Sequence, residues 1–163
     1  MKKNLIAIII FFFAFSLHSQ TKWELITCSH SNGSVAPKYQ WKRVITITNT
    51  GKGEYSYDTN ADNDTSFSNE FQLSKKELKK LNSAVKKSKI MKVLPGEMRD
   101  LTKRKSGGWV EKIIIKPADK NSETEDNSLI YIFPMKEKYA EAMDDLYNLI
   151  SELVPQDCKK KNY

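Results

Sequence analysis

Two segments of this chain carry helical periodicity, and each follows a block of strand-type residues. That order constrains the fold more than any other feature. In the first, Leu78, Leu81, Ala84 and Val85 share one helical face, and Lys75, Lys76, Lys79, Lys80, Lys86 and Lys87 occupy the other. Ser74 and Glu77 have capping-box spacing, and Leu73 and Leu78 stand at the staple positions. Pro95-Gly96 closes this unit. In the second, Tyr139, Ala142, Met143, Leu146, Leu149, Ile150 and Leu153 recur at helical spacing from about Lys136 to Val154, and Pro155 stops the helix.

The strand blocks alternate with period two. Trp23–Cys28 has strand composition, and Ser29–Lys38 reads as a loop. Trp41–Asn49 alternates β-branched and polar residues; Asn49–Gly53 is turn chemistry, and Glu54–Tyr57 returns as the second arm of a hairpin. Ser66–Leu73 is a further strand candidate. Trp109–Lys116, with its Ile113–Ile115 run, reads as a strand buried on both faces, and Leu129–Phe133 pairs back after a polar connection. The expectation is α+β: strands, helix, strands, helix, with both amphipathic helices on one face of an antiparallel sheet.

The first nineteen residues do not belong to that domain. Lys2 and Lys3 precede an apolar run, Leu5–Phe15, too short to span a bilayer, and Ser19 offers a small residue before the cut. Residues 1–19 are therefore expected to be a signal peptide, and 20–163 one domain with a basic C-terminal tail. The expected localisation is periplasmic or secreted. Leu25-Ile26-Thr27-Cys28 resembles a lipobox only loosely, because Lys22, Trp23 and Glu24 separate it from the apolar run. No later segment is apolar enough for membrane insertion.

The net charge is +7, and without Lys2 and Lys3, 25 basic residues against 20 acidic ones leave +5. This moderately basic balance suits acidic partners. The absence of an Arg-rich helix or interleaved basic-aromatic motif argues against nucleic acid. Two cysteines in an oxidising compartment predict one disulfide, Cys28–Cys158.

Catalytic signals are sparse. His30 is the one histidine after the leader, and no zinc set, phosphate loop or nucleophile elbow occurs. Cys28 beside His30 is poorly placed for a thiol mechanism. Asp58–Asp64 opens like a calcium loop, then departs from it: Asn63 stands where glycine is needed and Asn69 where the bidentate glutamate belongs. No metal, no cofactor and no enzymatic activity are expected. The binding candidates are Arg99, Arg104 and Trp109, which flank a Gly-Gly pair, and Tyr39 and Trp41 beside a flexible loop; Arg, Tyr and Trp are favoured contact residues. The expected partner is another protein.

The order FQLSKKELKKLNSAVKKSKIMKVLP, GGWVEKIIIK, LIYIF and MDDLYNLISEL resembles small secreted α+β proteins of Bacteroidota. It is more distantly similar to the emfourin family, proteinaceous inhibitors of thermolysin-like metalloproteases. The resemblance implies a protease inhibitor-like binding factor and transfers no inhibitory residue. A periplasmic immunity-type protein that neutralises a toxin is the alternative.

Overall fold

A computed structural model describes residues 22–33, 35–59, 66–103, 109–118 and 128–160. Its strands are β1 (Trp23–Ser31), β2 (Trp41–Thr48), β3 (Lys52–Thr59), β4 (Phe67–Gln72), β5 (Val110–Pro117) and β6 (Leu129–Ile132). Helix α1 (Lys75–Ser88) and the short α2 (Pro95–Met98) lie between β4 and β5, and α3 (Glu137–Leu153) follows β6. The expected leader and the greater part of the calcium-like stretch lie outside the described residues.

The six strands form one antiparallel sheet in the order β4-β3-β2-β1-β5-β6, which makes the chain α+β. Strand alternation sends one side chain in two to the same face. On that face Ile26 and Cys28 meet Ile45, Ile47, Ile113 and Ile115, all at most 2% exposed. Leu81 and Val85 of α1 and Met143, Leu146 and Ile150 of α3 join the same core. Ser74 caps α1 and Glu77 reaches back to it, as the spacing predicts.

Several expectations need correction. β5 is buried on one face only: Ile113 and Ile115 are sealed, and Ile114 is half-buried, because this antiparallel sheet keeps its second face less covered. β1 runs on to Ser31, so His30 sits in a strand and not in a loop. Gly53 belongs to β3 and not to the preceding turn.

The Cys28–Cys158 disulfide is not formed. Both thiols are free and buried. Cys28 stands on β1, whereas Cys158 lies against β4, its Sγ 3.7 Å from the Glu70 carbonyl. β2 and β3 intervene. Three strand spacings are about 14 Å, about twice the Cα separation that a disulfide bridges.

Among the described residues, no helix is long and apolar enough to cross a membrane.

Candidate functional site

The core face of the sheet changes character toward one end. Two residues beyond Cys28, Ile45 and Ile113, alternation places His30, Arg43 and Glu111 on the same face. Register continues the row through Tyr57 of β3 and Phe67 of β4. Two residues further out stand Trp41, at the start of β2, and Trp109, just before β5.

These side chains touch. The His30 ring centroid lies 5.1 Å from that of Trp41 and 5.0 Å from that of Trp109. The two indoles meet edge to face at 5.8 Å and 81°. Trp41 stacks on Tyr57 at 6.3 Å, and Tyr57 packs on Phe67 at 5.9 Å. Offset and edge-on pairs of this kind are the arrangements that aromatic quadrupoles favour. The row is open at its rim: Trp109 is 54% exposed, and Trp41, Arg43, Tyr57 and Glu111 are half-buried.

Charge is threaded through these rings. Nδ1 of His30 lies 3.5 Å from Nη2 of Arg43 and 3.7 Å from Oε1 of Glu111. Behind them, Tyr147 of α3 and the Cys28 thiol both lie within electrostatic reach of the Arg43 guanidinium. Burial pushes the Cys28 thiol up to about 12, and the nearby Arg43 charge only partly opposes it. Burial likewise lifts the Tyr147 phenol to about 12. A thiol held neutral this firmly is no nucleophile at ordinary pH. The arrangement sets aromatic rings around one cation, Arg43, and one anion, Glu111.

Of the residues picked from sequence, Trp41 and Trp109 come together from opposite sides of β1. Tyr39 sits on a short 3-10 turn, 63% exposed, with Nζ of Lys38 4.9 Å from its ring centre. Arg99 is exposed at the end of α2, where its backbone bridges to Met135. Neither shows a ring or charge contact with the row among the described residues. Arg104 lies outside the described residues. Sequence reasoning missed Arg43, Tyr57, Phe67, Glu111 and Tyr147, and it read His30 as a loop residue. One signal was available: the alternation Ile45-Arg43-Trp41 and Ile113-Glu111-Trp109 carries both strands from apolar to charged to aromatic in step.

Among the described residues, no group of three or more His, Cys, Asp or Glu side chains is gathered to hold a metal ion. No family model and no curated protein matches the chain, so the geometry of the row bears the functional argument by itself.

Proposed function

We propose that this protein is an exported binding protein that captures another protein without transforming it, in the manner of a protease inhibitor. In this reading residues 1–19 are a removed leader and residues 20–163 are the active domain. In this reading the helices α1 and α3 cover one face of the sheet, and the aromatic row toward its rim is the contact surface.

The convergence of Trp41 and Trp109 around His30, 68 positions apart in sequence, carries the proposal. Tryptophan, tyrosine and arginine supply most hot-spot energy at interfaces, and they work best around a partly desolvated centre. The neutral Cys28 thiol supports binding over thiol catalysis.

The test is inhibition of thermolysin-like metalloproteases by purified protein, together with co-purification from the envelope and secreted fractions. The expected result is stoichiometric inhibition or a stable complex. Trp109→Ala and Trp41→Ala then weaken it at least about thirtyfold, the factor that corresponds to a hot spot of about 2 kcal/mol. Substrate turnover that one substitution in the row abolishes would overturn the proposal, as would a complex that both tryptophan variants leave intact.

A further inference from the structure

The two long helices present opposite charges. Along α1, six lysines stand against the single Glu77, and all six are exposed. Lys75 with Lys79, and Lys76 with Lys80, are like-charged neighbours four residues apart, an arrangement that destabilises a helix. Among the described residues, Lys87 alone of the six is ion-paired, to Asp145 of α3 at 3.1 Å. Along α3, Glu137, Glu141, Asp144, Asp145 and Glu152 are exposed, against the single Lys138.

The helices are neighbours, with a groove of about 470 Å³ between them. Its walls carry Lys80 and Lys87 on one side and Asp145 and Glu152 on the other, and the small side chains of Ser83, Ala84 and Ala142 also line it. A basic stripe beside an acidic one is a poor match for an anionic bilayer or a nucleic acid, because the acidic half is repelled. It matches its own copy.

We infer that this two-helix face pairs with the same face of a second copy of this chain. A two-fold axis running along the helices sets α1 of one protomer opposite α3 of its partner, twice over, as an isologous contact requires. An axis across the helices would oppose lysines to lysines. With helices of 14 and 17 residues, the face is roughly 25 by 20 Å, or about 500 Å² a side. That is below the ~800 Å² of a standard stable interface. The dimer is therefore weak, concentration-dependent and sensitive to salt, since its ion pairs are solvent-exposed.

Sedimentation equilibrium tests this on the purified protein and two double variants, Lys80→Glu with Lys87→Glu and Asp145→Lys with Glu152→Lys. All four positions are exposed, so both variants should fold, and near-ultraviolet circular dichroism verifies it. The wild type should dimerise at low salt and dissociate about tenfold more readily at high salt. Each variant alone should associate at least about tenfold more weakly, and an equimolar mixture of the two should recover a heterodimer. A wild type that stays monomeric at low salt overturns the inference. So does a dimer indifferent to salt and to both variants, or a mixture that fails to pair. Binding to phosphatidylglycerol vesicles without self-association would reassign the face to a lipid surface.

Discussion

Burial of Cys28 under α3 has a consequence for alkaline stability. An unfolded chain ionises its thiols near pH 9 and its phenols near pH 10. The folded protein holds Cys28, Tyr131 and Tyr147 protonated to about 12, burial being the leading cause for each. Between these limits the native state binds more protons than the unfolded state, so stability falls as pH rises. Each unit of separation corresponds to about 1.4 kcal/mol. Denaturant midpoints should therefore be level up to about pH 8–9 and decline steadily above it. Cys28→Ala should make the first part of that decline shallower, whatever its effect at neutral pH. The same burial shields the thiol from reagents. Without any reductant, the native protein should resist alkylation at Cys28, and the unfolded protein should take up label at both cysteines. The disulfide expected from sequence rested on cysteine number and compartment, and neither carries information about distance across a sheet.

At the scale of one element, α1 is held by interactions that a short window of sequence contains. The Ser74 backbone N–H donates to Oε2 of Glu77 at 2.8 Å, and the Glu77 N–H donates to the Ser74 hydroxyl at 3.3 Å. Leu73 is buried and Leu78 packs against the core. Ser74→Ala should cost about 1 kcal/mol in chemical denaturation, the usual worth of an N-cap side chain. Strand β3 offers the opposite case. Gly53 pairs with Phe71 across β3 and β4, and a Cβ on Gly53 would fall 2.3 Å from the Phe71 ring. The glycine lets that ring lie flat over the strand. Gly53→Ala should force the ring out of a packed core and destabilise the protein by about 1–3 kcal/mol, the range seen for overpacking. Read locally, Gly53 looks like turn chemistry beside Gly51. Gly51 does make the turn, at φ +88°, whereas the role of Gly53 depends on a residue eighteen positions away. A local window contains a cap and its partner, but not a cross-strand neighbour.

The same distinction governs the whole molecule. The α+β class and the approximate places of the strands and long helices were legible, because alternation and helical spacing are local. The row Glu111-His30-Arg43-Tyr57-Phe67 was not, because it requires strand order and register across five strands. Trp41 and Trp109 were picked for residue type, and only pairing of β1 with both β2 and β5 brings them together. The chain's end shows the same limit. Lys159 and the residues after it read as a tail, yet Cys158–Lys160 are tied to the distant strand β4 and back to α3. The Asn69 side-chain amide of β4 donates to the carbonyls of Cys158 and Lys160 at 2.9 and 3.0 Å. Nζ of Lys159 donates to the Ser151 carbonyl of α3 at 2.9 Å. The segment therefore joins the last helix to β4, the outermost strand on that side of the sheet. Asn69→Ala removes two of these bonds and should cost about 1–3 kcal/mol, at about 0.5–1.5 kcal/mol each. The diagnostic readout is local. Hydrogen exchange should quicken in β4 and in residues 156–160, while the central strand β1 keeps its protection, because opening there requires the core to come apart. Uniform acceleration across the sheet, or none in β4, would show that the tail does not hold this edge.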